Sequence, residues 1–349
     1  MTGPQQNNPN VQLLACLLDP DDADDSDYRF LIDGQHVKYM STAPGTFRGA
    51  EDDRNFEPIL LGQLLPPFPT GDWNKGYAAR DPDTGKATFV RTETVQFAGV
   101  KSLWHPVKLN ELDFTRQHRL RQGVHVATHP EVEDGKLVLI KLAVWPWEIP
   151  YVVAETAAYQ WISDTGVGPK FLGHLTEGKD GRVVGFVTEW VEDARAAEPE
   201  DFDGCKKALG RLHELGIKLG DINKHNFLVR DGHDVVLVDF ETAKRDCSPR
   251  ELEDEMNDVM RNLEDTSCLG GMVELDVGVA QFIRLIWMTI FISFIILLLF
   301  YMFLLLLKLI LAQLNQECFT MLLHTLLTKQ LRNIFRFFLI HKIIQHFEM

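Results

Sequence analysis

Three hard-oxygen side chains recur in a short, rigidly patterned stretch, and this pattern limits the fold more than any other part of the chain. Asp221 stands five residues before Asn226, inside the loop Gly220-Asp221-Ile222-Asn223-Lys224-His225-Asn226. An apolar run, Val235-Val236-Leu237-Val238, then ends in Asp239-Phe240-Glu241. A loop of that length carries a carboxylate and an amide to one place. An apolar strand ending in aspartate delivers a second carboxylate at the strand's end. Phosphoryl transfer asks for this kind of equipment: a carboxylate beside the acceptor hydroxyl and oxygen ligands for Mg²⁺ against the phosphates.

The surrounding pattern supplies strands and helices in mixed order. Thr88 to Phe97, Gly123 to Thr128, Lys136 to Val144 and Gly181 to Trp190 read as strands, with a turn at Glu133-Asp134-Gly135. Phe227 to Arg230 and Val235 to Val238 read as short strands about a turn at Asp231-Gly232-His233. Val153 to Ile162, Asp201 to Leu215 and the acidic segment Glu251 to Leu263 read as helices. That order suits an α+β domain of two lobes. Residues 1–10 read as disordered, and 41–88, rich in Gly, Pro, Asp and Asn, as loops with short strands. The six aspartates between Asp19 and Asp27 fit no EF-hand register, which needs glycine at position six and glutamate at position twelve, so they read as a solvated loop.

The loop and the strand-end aspartate together resemble the protein-kinase-like superfamily, whose signature is D-x-x-x-x-N followed by D-F-x. The Gly220-Asp221 form is nearer its aminoglycoside-phosphotransferase-like branch. Leu209 to Ile217 and Gly168 to Leu175 add a narrower likeness to small fungal kinase-like proteins. The resemblance covers about residues 120–271. It implies a two-lobed protein-kinase-like fold with a reduced C-lobe, and binding of ATP and Mg²⁺. Asp221 would be the catalytic carboxylate, and Asn226 and Asp239 the metal ligands. Lys141, in Val138-Leu139-Ile140-Lys141, resembles the strand lysine that holds the α- and β-phosphates, and Glu155 its helix partner. Residues 186–191, with Glu189, would form the hinge where backbone groups read adenine. Each has a plainer reading: Lys141 as a strand-edge charge, Glu155 as helix surface, and His213 and His225 as packing or loop residues.

The likeness departs from the family at four points. Leu219 replaces a histidine that braces the loop, Glu241 replaces the glycine after Asp239-Phe240, no G-x-G-x-x-G precedes Lys141, and no A-P-E follows. These departures keep a rival reading open, a pseudokinase serving as a nucleotide-binding or interaction scaffold. A glycosidase using Asp221 and Asp239 as paired carboxylates is a third reading, and the spacing to Asn226 speaks against it. The acceptor, a small molecule or a protein side chain, is unspecified.

Charge and hydropathy divide the chain. Its formal net charge is −15, which argues against a nucleic-acid partner. Residues 277–349 hold six basic and two acidic side chains, a net +4, and the rest carries −19. Five cysteines with no C-x-x-C spacing suggest neither a disulfide framework nor a zinc site. Leu285 to Leu307 is a 23-residue run without a charge, long enough to span a bilayer. The expected organisation is therefore a loop-rich N-terminal extension over 1–100 and a kinase-like domain over 101–275. A transmembrane helix over 280–312 and a basic amphipathic tail over 313–349 would follow. The kinase-like domain would be cytoplasmic, tethered to a membrane by the tail. A tail joined to the coding segment in error is the alternative, and it would leave a cytoplasmic protein.

Overall fold

The computed structural model describes residues 8–47, 51–230 and 234–265. Three sheets organise them. The first runs β1 (Val11–Leu17), β2 (Ser26–Ile32), β3 (His36–Thr42), β4 (Lys75–Arg80) and β5 (Ala87–Glu93), side by side in chain order. Its pairs are antiparallel except β3 with β4, which are parallel. A parallel pair needs a crossover. Here it includes α1 (Glu51–Asn55), α2 (Glu57–Ile59) and the π-helical turn Leu60–Leu64. Leu60, Leu61 and Leu65 from this crossover bury Tyr28, Phe30 and Met40 in a small core.

This sheet corrects the expectation of a loop-rich extension over residues 1–100. The local sequence misleads because β2 has no clean alternation: Tyr28 and Phe30 face the small core while Arg29, between them, is buried on the other face. Asn8, expected to be disordered, is buried and ties the chain start to the crossover through Pro66 and Phe68.

The second sheet comprises β6 (Lys108–Asn110), β7 (Thr115–Arg121), β8 (Val124–Thr128), β9 (Leu137–Leu142), β10 (Phe171–Thr176) and β11 (Val183–Glu189). Its spatial order is β6-β10-β11-β9-β8-β7. Helix α3 (Ile149–Trp161) follows β9 and packs on β10 and β11, with Tyr159 against Phe171 and Phe186. Its start is set by Pro150 in the first turn and by Glu148, whose carboxylate accepts from the Trp145 N–H at 3.0 Å. The first two sheets are locked together by a buried charged network. Arg29 donates to Glu111 at 2.5 and 3.2 Å and to Glu177 at 3.1 Å, and Arg182 donates to Tyr39 at 2.8 Å and Glu177 at 3.0 Å.

After β11 the chain enters a third sheet, β12 (Arg195–Ala196), β13 (Phe227–Val229) and β14 (Val235–Leu237), flanked by α4 (Phe202–His213) and α5 (Pro249–Leu263). Helix α5 opens on a capping box between Ser248 and Glu251. One apolar core runs from α3 and the second sheet to Phe240, Leu209, Leu212 and Val259.

The expected fold class, α+β with a C-terminal transmembrane helix, is corrected to a mixed α and β fold with no membrane-spanning helix among the described residues. No helix there is long and apolar enough to cross a membrane. The segments 280–312 and 313–349 lie outside the described residues.

Candidate functional site

Lys141 leaves β9 on the side opposite Ile140 and Leu142, both of which point into the core. Its ammonium lies 2.5 Å from Glu155 Oε2 on α3, 2.6 Å from Asp239 Oδ1 and 3.5 Å from Glu241 Oε2. Glu155 sits on the buried face of α3 with 2% of its side chain exposed, so it is not helix surface. Asp239 also receives Arg121, whose Nη2 is 2.8 Å from Oδ2. Three carboxylates and two cations thus meet, and the carboxylate oxygens of Glu155, Asp239 and Glu241 lie within 4.8 Å of one another.

The electrostatics follow from burial and pairing. Burial pushes the Glu155 carboxyl up to about 7, against the pull of Lys141. Burial also raises Asp239, but Lys141 and Arg121 outweigh it and hold that carboxyl below its ordinary range. Burial lowers Lys141, and the Glu155 and Asp239 charges more than reverse this, raising it. Asp239 therefore stays ionised, and Lys141 stays charged, at neutral pH.

The loop before β13 is built by side-chain and backbone bonds. Asn226 is buried, and its Nδ2 donates to the Asp221 carbonyl at 3.0 Å. Asn223 accepts from the His225 N–H at 2.9 Å, closing a one-turn helix at 224–226. The Val238 N–H donates to the Asn226 carbonyl at 3.0 Å, so the antiparallel pairing of β13 and β14 carries Asn226 alongside the residue before Asp239. Asp239 has φ of 61°, a left-handed conformation that aspartate tolerates better than most residues. Gly220 has φ of 89°, and a Cβ there would lie 2.5 Å from the Thr242 carbonyl oxygen, which explains glycine before Asp221. Asp221 itself is exposed.

Sequence reasoning did not single out two residues that matter here. Glu255, on α5, is buried and accepts from the Leu219 N–H at 3.1 Å, the Gly220 N–H at 2.7 Å and His213 Nε2 at 2.8 Å. The loop start is therefore anchored through its backbone, and buried Leu219 needs no polar side chain to hold it. The available signal was a carboxylate on the apolar stripe of α5, four residues before Val259 and eight before Leu263. The other residue is Arg121, at the end of β7 beside the Gln122-Gly123 turn.

Lys141, Glu155 and Asp239 are thus brought into direct contact, and Asn226 is joined to Asp221. Glu189 stands apart. It ends β11 opposite Val138, and its N–H donates to the Lys170 carbonyl at 2.9 Å. Its side chain takes no part in the ion pairs around Lys141. In comparisons with known proteins, no family model and no curated sequence matches the chain.

Proposed function

We propose that the chain is an ATP- and Mg²⁺-dependent phosphotransferase of the protein-kinase-like kind, acting on a small-molecule or protein acceptor. The observation that carries this reading is Lys141, a strand lysine 2.5 Å from a buried helix carboxylate, Glu155, and 2.6 Å from a strand-end carboxylate, Asp239. Surface ion pairs need no such partner set. An ammonium held in place by one carboxylate and beside a second is suited to gripping nucleotide phosphates.

The donor set fits Mg²⁺. Asp239 supplies carboxylate oxygens, and Asn226, engaged through Nδ2, retains its amide oxygen as a hard ligand. When bound, Mg²⁺ supplies neutralisation of the phosphate charge. Lys141 holds α- and β-phosphate oxygens, and Glu155 fixes its direction. Asp221, exposed at the loop, accepts the proton of the acceptor hydroxyl. The backbone near Glu189 offers groups to an adenine edge.

A second reading, a nucleotide-binding scaffold without turnover, is favoured by one observation: both oxygens of Asp239 are engaged by cations, Lys141 and Arg121. ATP turnover with Mg²⁺, measured on the full chain beside Asp221→Asn, separates the two. The enzyme reading expects turnover to fall by about 10²–10⁴-fold in the variant with nucleotide affinity kept. Binding without turnover above the variant's level leaves the scaffold reading. Absence of nucleotide binding by the folded protein overturns both.

A further inference from the structure

The turn between β7 and β8 consists of two residues, Gln122 and Gly123, because Arg121 pairs directly with Val124. Gly123, at φ of 72°, is fixed by its carbonyl, which accepts from the Leu142 N–H at 2.8 Å. A turn this short and this tightly fastened has no run of free backbone N–H groups with which to cradle phosphates. What it offers is a side chain.

Register places that side chain. Arg121 lies opposite Val124 on β8, and Val124 lies opposite Lys141 on β9. The three form one row across the sheet, and residues directly opposite one another share a face. Arg121 and Lys141 are two strands apart, about 10 Å between backbones. From both ends of that row they converge on Asp239, one on each oxygen, at 2.8 and 2.6 Å. Arg121 is nearly half exposed where Lys141 is almost covered, so the guanidinium forms the outer, movable arm of the pair.

We propose that Arg121 is a phosphate-binding residue, which leaves Asp239 when Mg²⁺-nucleotide enters and takes the phosphate oxygens that a glycine-rich loop would otherwise hold. This rests on the nucleotide reading above. Its chemistry is specific. A guanidinium presents a fork of N–H donors that matches phosphate oxygens. Its departure frees one oxygen of Asp239 for the cation in the same step. The inner arm, Lys141, keeps its grip on Glu155. The ligand class is therefore a nucleoside di- or triphosphate, held by two cations of one sheet row.

The test compares ATP, ADP and adenosine binding to the full chain, with Mg²⁺, for wild type, Arg121→Lys and Arg121→Gln. Thermal melting of each variant checks that it is folded. The expected result is a loss on the order of tenfold to a hundredfold in ATP and ADP affinity in Arg121→Gln. Arg121→Lys should lose less, and adenosine affinity should be unchanged in both. If wild type binds ATP and Arg121→Gln binds it equally well or more tightly, Arg121 is at most a plug on Asp239 and this proposal is overturned while the nucleotide reading stands. If folded wild type binds neither ATP nor adenosine, the nucleotide reading is overturned and this proposal with it.

Discussion

Glu255 offers the sharpest test of how the loop is held. Replacing it with alanine removes one acceptor from three donors, the Leu219 N–H, the Gly220 N–H and His213 Nε2. Gly220 is exposed, so water recovers its N–H. Leu219 is fully buried, so its N–H is left without a partner. A buried donor stranded in this way costs about 1–3 kcal/mol, and a hydrogen bond to a charged group contributes about 1.5–3 kcal/mol. Relief from burying the carboxylate offsets part of that. Glu255→Ala should therefore destabilise the chain by about 3 kcal/mol. Glu255→Gln, which keeps the volume and one acceptor oxygen, should lose about 1–2 kcal/mol. The assay is urea unfolding of the full chain followed by tryptophan fluorescence, for which buried Trp145 is a natural reporter. An alanine variant within about 1 kcal/mol of wild type, or a glutamine variant as damaged as alanine, would refute the anchoring argument.

Other outcomes follow from the same geometry. Arg29→Ala takes the nearest partner from Glu111, whose side chain has no exposed area, and leaves it only Arg116 at 3.5 Å, so it should cost about 3 kcal/mol in urea unfolding; a loss under about 1 kcal/mol would mean that the first sheet is a dispensable attachment. Gly220→Ala forces a Cβ against Thr242 at positive φ and should cost about 1–3 kcal/mol by the same measurement, with turnover reduced. Glu155 gives a pH signature. Its folded carboxyl is raised to about 7 from an ordinary 4.5, so the folded state holds the extra proton. Its contribution to stability is complete below pH 4.5 and is lost as pH rises towards 7. Wild type should therefore lose stability relative to Glu155→Gln across that window, and a gain would contradict the burial argument.

The part of the fold that can be read locally was legible in the sequence. Strands β8, β9 and β11, helices α3 and α4, and the β13–β14 hairpin fall where the apolar periodicity puts them. Lys141, Glu155 and Asp239 were marked by the resemblance to a kinase-like motif and not by periodicity, and the structure brings the three side chains together. Of the first sheet only β5 was legible, as the strand expected at Thr88 to Phe97; the rest was not, since its apolar face is completed by a crossover tens of residues away, and Arg29 interrupts β2 with a buried charge whose partners Glu111 and Glu177 are remote in sequence. Glu255 was hidden for a different reason. It is one acid among several in α5, and only its place on the apolar stripe marks it. Arg121 became visible only through register, because nothing in the sequence says that β7 and β9 flank β8.

The most direct measurement of the central claim is calorimetric titration of the full chain with ATP, with and without Mg²⁺, beside Lys141→Met and Asp239→Asn. Wild type should bind saturably and in a Mg²⁺-dependent way, Lys141→Met should lose affinity on the order of tenfold or more, and binding in Asp239→Asn should no longer respond to Mg²⁺. A folded wild-type protein that takes up no nucleotide under either condition would contradict that claim.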